Sequence, residues 1–263
     1  MAPRATGRRR REAIVAEGHS PLEQFVIHRV VPIEIGGVDA SITNSAIFML
    51  IAVGLSTLFL VAATARGALV PGRLQSLAEM SYEFIANMLR ENVGTQGKKY
   101  FPFIFTLFMF LLFGNVLGMI PYAFTYTSHI IVTFALALVV FVGVTIIGFI
   151  KHGFRFLKLF VPSGVPAFLL PLLVVIEILS YLTRPISLSV RLFANMAAGH
   201  TMLKLFGSFV VGLGAWGFIV AGAAPLAFVI ALTALEIGIA FLQAYVFTIL
   251  SCIYLNDAVN MHH

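Results

Sequence analysis

From Tyr100 to Ile150 the chain runs for about fifty residues without a single Asp, Glu, Lys or Arg. The hydrocarbon core of a bilayer is about 30 Å thick and takes about 20 helical residues to cross. The stretch is therefore too long for one crossing and right for two. Pro121 to His129, with its Pro, Tyr and Thr residues, supplies the turn between them. In lipid every backbone N–H and C=O must be satisfied within the protein, which leaves helices as the reading for such segments. Composition agrees: 60% of residues are hydrophobic and 11% are charged, outside the range of soluble domains.

The rest of the chain extends this pattern to an all-α polytopic membrane protein with about five membrane helices and one interfacial amphipathic helix. The first crossing is expected over about Ile42 to Thr64. Arg73 to Glu91 places Leu74, Leu77, Phe84, Ile85, Met88 and Leu89 on one side, with Glu79, Glu83 and Arg90 elsewhere. That is the pattern of a helix lying on the membrane surface. A fourth membrane helix is expected from near Pro166 to about Leu203, and a fifth from about Ala215 to Asn256. Both are longer than a bilayer needs, so they must tilt, bend or lie partly along the midplane, with Pro171 and Pro185 as bending points. Two such helices suit a curved pair wrapped on a round partner. Gly207, Gly212, Gly214, Gly217 and Gly222 are expected to permit close helix contact.

Residues 40–263 read as a single membrane domain, preceded by an arm over residues 1–39. The arm carries Arg4 and the run Arg8 to Arg11, which suits lipid headgroups. No apolar stretch follows those arginines as a secretory leader would require. Ser20 and Pro21 look like a helix cap and first helical residue. Lys and Arg gather in residues 66–99 and 151–165, whereas the 122–129 turn has none. By the positive-inside rule both basic loops lie inside, which puts the N-terminus outside and the C-terminus in the cytoplasm. The Arg-rich arm runs against that rule. The net charge of +6 comes mostly from residues flanking the spans, and no nucleic-acid partner is expected. Cys252 is the only cysteine, so no disulfide framework or cysteine metal cluster can form.

The segment Glu177 to His200 breaks the apolar rule, carrying Glu177, Arg184, Arg191 and His200 within hydrophobic sequence. A charge at mid-bilayer costs from roughly 3 kcal/mol on insertion scales to 10 or more in simulations, so such residues mark ion or substrate paths. Arg191 cannot shed its charge to escape that cost. Spaced by sevens, Glu177, Arg184 and Arg191 share one helix face, and Ser187 and Asn195 extend it. His200 lies about 13 Å further along the axis and on the opposite face. In the last helix Glu236 stands alone between Lys204 and Asp257, with Gln243 on its face seven residues on. A histidine and a glutamate on adjacent helices make a proton-relay pair. Asn115 lies between Gly114 and Gly118, where an interhelical hydrogen bond alone would account for it. Arg184 reads as structural, paired with Glu177 or a carbonyl. His129 and His152 read as interfacial and headgroup-facing.

The order Arg191-Leu-Phe-Ala-Asn-Met-Ala-Ala-Gly-His200, preceded by Arg184-Pro-Ile-Ser-Leu-Ser-Val, resembles the signature of the a-subunit family of F-type ATP synthases. Phe113-Gly-Asn-Val-Leu-Gly-Met-Ile-Pro121 and Glu236-Ile-Gly-Ile-Ala-Phe-Leu-Gln243 resemble the family's other two motifs, in the same order. The resemblance covers the hydrophobic chain. It implies a membrane stator that conducts protons through two half-channels to a carboxylate on a ring of small hairpin rotor subunits. Asn115, Ser187, Asn195, His200, Glu236 and Gln243 then belong to the proton path, Glu177 to an inner exit, and Arg191 is the rotor-facing cation. Further implied partners are peripheral-stalk membrane subunits, the other ATP synthase subunits and membrane lipid. A bacterial inner membrane is the implied location. In better-known bacterial members the His200 and Glu236 positions carry the opposite residue types. The exchange seen here resembles the alphaproteobacterial and mitochondrial branch.

No nucleotide-phosphate loop, dinucleotide fingerprint or hydrolase motif is present, so the chain is expected to catalyse no covalent reaction and to need no cofactor or metal. A secondary proton-coupled transporter would use similar buried charges, but that class shows paired repeats with broken helices, which this sequence lacks. A non-conducting scaffold would leave Arg191 and Glu236 without a reason.

Overall fold

The fold is described from a computed structural model covering residues 26–32, 34–35, 38–39, 41–65, 67–68, 70–120, 123–161, 166, 168–215 and 219–260. Among the described residues six α-helices carry it: α1 (Asn44–Thr64), α2 (Arg73–Val93), α3 (Phe101–Gly118), α4 (Ile130–His152), α5 (Leu170–Ala215) and α6 (Ile219–Val259). Among the described residues, five helices are long and apolar enough to cross a membrane, and α2 is the one that is not. The expected architecture is therefore observed.

Local chemistry explains the helix ends. Thr43 caps α1, its Oγ1 accepting from the Ala46 N–H at 3.3 Å. Pro102 stands in the first turn of α3, where its missing N–H costs nothing. Pro171 likewise falls in the first turn of α5, so it opens the helix and bends nothing. Pro185 lies inside α5 and Pro225 inside α6. At 46 residues α5 is about 69 Å long and passes well beyond the expected end near Leu203.

The arm meets the membrane helices through a short ladder. Arg29–Val31 (β1) pairs antiparallel with Ile42–Thr43 (β4), and Glu34–Ile35 (β2) with Val38–Asp39 (β3). Asn44 ties this ladder to α1. Its Oδ1 accepts from the His28 N–H at 3.2 Å, and its Nδ2 donates to the Val26 carbonyl at 3.2 Å. Sequence patterning gives no sign of these strands, which are two or three residues long. The expected cap at Ser20 and Pro21 lies outside the described residues, as do the surroundings of Gly214, Gly217 and Gly222.

The larger apolar core joins α2, α3, α4, α5 and α6, and a smaller one gathers Ala52 of α1, Phe124 and Tyr126. Ile85, Met88 and Leu89 of α2 meet Ile104, Phe108 and Leu111 of α3, and Val140, Leu188, Leu192 and Phe247 complete the interior. The amphipathic face of α2 works only along its second half. Ile85, Met88, Leu89 and Val93 are buried, whereas Leu74 and Leu77 stay exposed. The most extensive helix pair is α5 against α6. Gly207 and Gly212 do not serve as close-contact points, because nothing lies within 4 Å of a Cβ added at either. Close approach happens instead at Gly114, where an added Cβ would lie 1.8 Å from Tyr126 Oη. That hydroxyl donates to the Phe110 carbonyl at 3.0 Å.

Gly114→Ala should therefore displace Tyr126 and lower stability by roughly 1–3 kcal/mol, as overpacking does. Gly207→Ala should leave stability unchanged or raise it by up to about 1 kcal/mol, since it adds helix propensity in open space. Thermal unfolding of the two variants in detergent separates these outcomes.

Candidate proton path

The site is a polar seam between α5 and α6, closed on one side by α3. Gly199 lies against Glu236, Asn195 bonds Gln243, and Arg184 pairs with Asp257. The contacts descend α5 as they climb α6, so the two helices run antiparallel in register. Each level of the seam carries a different chemistry.

At the level of the 123–129 loop, His200 is 9% exposed, and its Nε2 lies 3.2 Å from Thr125 Oγ1. Both residues border a cavity of about 950 Å³, with His28, Asn44 and Lys204 also on its wall. Glu236 is buried one helix away, held so closely by α5 that a Cβ on Gly199 would sit 2.1 Å from its Oε1. His200 and Glu236 are thus on facing helices at one level. No hydrogen bond joins them among the described residues.

About one turn deeper, Asn115 of α3 donates from Nδ2 to the Ala240 carbonyl at 3.1 Å. Ala240 lies between Glu236 and Gln243 on the same α6 face, and its small side chain lets α3 approach. Gln243 is buried and accepts at Oε1 from Asn195 Nδ2 at 2.8 Å. Asn115 Oδ1, Glu236 Oε2 and Gln243 Nε2 are buried without a partner among the described residues. Such groups cost free energy unless something hydrogen-bonds them. Three such atoms lie in this one seam.

The two arginines differ sharply. Arg184 Nη1 bonds Asp257 Oδ2 at 2.8 Å, and its guanidinium lies 5.2 Å from the Tyr181 ring centre and 4.9 Å from that of Tyr254. Its partner is therefore Asp257, not Glu177 or a carbonyl. Arg191 and Ser187 are exposed, as is Asn195. Arg191 has no carboxylate partner among the described residues. Glu177 is half-buried further along α5, and no ion pair involves it among the described residues.

Several residues gain functions of contact that sequence reasoning missed. Thr125 sits in an irregular turn with no periodicity to single it out. His152, half-buried, places its Nε2 3.2 Å from the Val259 carbonyl, to which Lys151 Nζ also donates at 2.9 Å. These two side chains sit at the C-terminal end of α6, where carbonyls lack helical partners. His129 is half-buried in the turn and stacks on Phe124 with ring centres 5.1 Å apart. Among the described residues no group of His, Cys, Asp and Glu could hold a metal ion.

Five apolar crossings with titratable and amide groups threaded between the two longest helices define a polytopic membrane protein of the ion-path class. The sequence comparisons specify which. The profile of the family described as ATP synthase A chain matches residues 46–256. A protein of Rhodospirillum rubrum named ATP synthase subunit a is 60% identical over 244 residues, covering 93% of this chain and 100% of the relative. Proteins of the same name from Paramagnetospirillum magneticum and Pelagibacter ubique are each 60% identical, over 246 and 245 residues. These matches cover 92% and 93% of this chain and 99% of each relative. The chain belongs to the ATP synthase A-chain family.

The Arg184–Asp257 pair is partly exposed, 24% and 33% at the two side chains, so its coupling should be modest. Arg184→Ala and Asp257→Ala should each lower thermal stability, and the double variant should lose less than their sum by about 0.5–1 kcal/mol. A double-mutant cycle in detergent measures this, and full additivity would show that the two charges do not interact.

Proposed function

We propose that the seam between α5 and α6 is the conduction path of this chain, organised as two offset half-channels on either side of Arg191. The protein is a non-catalytic, proton-translocating membrane subunit of the ATP synthase, and the ATP chemistry lies in other subunits of that complex. The observation that carries the path reading is the row of buried unpartnered atoms on Glu236, Asn115 and Gln243, which begins beside a cavity of about 950 Å³ bordered by His200.

Protons enter at the cavity, on the side of the uncharged 122–129 turn, which the positive-inside rule places outside. His200 and Glu236 take them up, each able to hold or release a proton. The amides of Asn115, Asn195 and Gln243 cannot titrate, but they orient hydrogen bonds along the strip. The acceptor is a carboxylate on a ring of small hairpin subunits lying against the exposed face of Ser187, Arg191 and Asn195. Arg191 has no carboxylate partner among the described residues, which suits a cation waiting for an external one. Its planar fork can hold that carboxylate through two hydrogen bonds, and its fixed charge repels free protons between the half-channels. Glu177 belongs to the inner exit. Peripheral-stalk membrane subunits are the other membrane partners. The chain is one membrane domain over residues 40–263 with an arm before it, in a bacterial inner membrane, with its C-terminus cytoplasmic.

Arg191→Lys should abolish ATP-driven pumping while the complex still assembles, because a Lys desolvated between the chain and the rotor ring can lose its proton when no carboxylate faces it. Arg191→Ala should abolish coupling and also let protons leak passively through membranes stripped of the soluble ATPase. Fluorescence-quench assays in vesicles read both effects, and coupled pumping in Arg191→Ala would overturn the mechanism. Gly199→Ala tests the outer path without removing any polar group. Its Cβ must displace the Glu236 carboxylate, and a shift of that size should slow proton flux about 10- to 100-fold in assembled complexes.

A further inference from the structure

The hydrogen bonds around Thr125 decide which ring nitrogen of His200 carries the proton. Thr125 Oγ1 lies 3.2 Å from the Gly118 carbonyl oxygen and 3.2 Å from His200 Nε2. A hydroxyl has one proton to donate and two lone pairs to accept with. The carbonyl can only accept, so a bond between Thr125 and Gly118 consumes that one proton. The contact with His200 is then satisfied only if Nε2–H donates to the hydroxyl oxygen.

Two further observations support this allocation. Gly118 is the last residue of α3, where carbonyls have no helical N–H partner. Met119 and Ile120 turn their N–H groups back to Val116 and Leu117, and the hydroxyl of Thr125 is the donor that reaches Gly118 among the described residues. Thr125 is itself buried, so that carbonyl has a strong claim on the proton. The approach also depends on glycine, since a Cβ at Gly118 would lie 2.6 Å from Thr125 Oγ1 and 2.7 Å from its Cγ2.

We propose that Thr125 is a positioning residue that holds neutral His200 as the Nε2–H tautomer, leaving Nδ1 as the nitrogen that takes up and releases protons. This rests on the reading of His200 as part of the outer path. A proton arriving at Nδ1 gives the imidazolium, and its release from Nδ1 regenerates the same tautomer, so Nε2–H never leaves Thr125. Without that bond the ring samples the Nδ1–H tautomer, which has no base at the productive nitrogen, and it rotates away from its place on the cavity wall. The role is separate from that of any residue that itself passes protons.

The test is nitrogen NMR of the reconstituted synthase carrying ring-labelled histidine, with His200→Gln identifying the His200 signals, alongside passive proton flux in the same membranes. The unaltered protein should show His200 protonated at Nε2 and not at Nδ1 when neutral. Thr125→Val, which keeps the shape and removes both bonds, should give mixed tautomers and proton flux lower by roughly tenfold or more. Thr125→Ser should recover the single tautomer and most of the flux. Gly118→Ala should behave as Thr125→Val does while leaving the hydroxyl in place. An Nδ1–H tautomer in the unaltered protein overturns the proposal, as does a Thr125→Val variant with unchanged tautomer and flux. Equal flux losses in Thr125→Val and Thr125→Ser with no change of tautomer also overturn it, because they indicate packing alone. If His200→Gln conducts at the full rate, the outer-path reading fails and with it the role of Nδ1, whereas the tautomer measurement still decides what Thr125 does to the ring.

Discussion

A charge at bilayer depth has to be compensated, and the two arginines of α5 meet that constraint in opposite ways. Arg184 is neutralised within the chain, by Asp257 at 2.8 Å and by the faces of Tyr181 and Tyr254. Arg191, seven residues on and on the same helical side, receives no carboxylate from the described residues. The guanidinium cannot neutralise itself by losing a proton. In the proposed function its compensation comes from outside, at the exposed face it shares with Ser187 and Asn195. The rest of the bundle can be understood as the scaffold that keeps one arginine satisfied and the other available.

That scaffold depends on close approach of backbones. Ala240 lets Asn115 reach the α6 backbone, and Gly199 lets α5 lie on the Glu236 carboxylate. Without small residues at these levels the helices would stand apart, and the polar side chains would meet lipid instead of one another. The antiparallel register of α5 and α6 brings amide against amide at Asn195 and Gln243, and cation against anion at Arg184 and Asp257. One register error would misalign every pair together. The terminal carbonyl of α6, bonded by Lys151 and His152, helps hold that register from the far end.

Much of this was legible in the sequence because its causes are local or one-dimensional. A run of about fifty uncharged residues dictates two crossings whatever its neighbours do. The seven-residue spacing of Glu177, Arg184 and Arg191 dictates a shared face from helix geometry alone. Three motifs in order named the family, and the comparisons bear that out. The amphipathic face of α2 was legible as a pattern but not in its extent, since only packing decides that Ile85 is covered and Leu77 is not.

What only the tertiary structure decided are the partners across sequence distance. Arg184 and Asp257 are 73 positions apart, and His200 and Thr125 are 75 apart. No periodicity relates such pairs, because they arise from how separate helices dock. For the same reason Gly207 and Gly212 looked like contact points in sequence, whereas the closest contacts fall at Gly114, Gly118, Gly148 and Gly199. A glycine permits close approach but does not cause it; the docking of the other element does. The sequence by itself determined that charges and amides lie at bilayer depth on long helices. Tertiary packing decided which of them are paired within the chain and which stand without a partner among the described residues, because that depends on how separate helices dock.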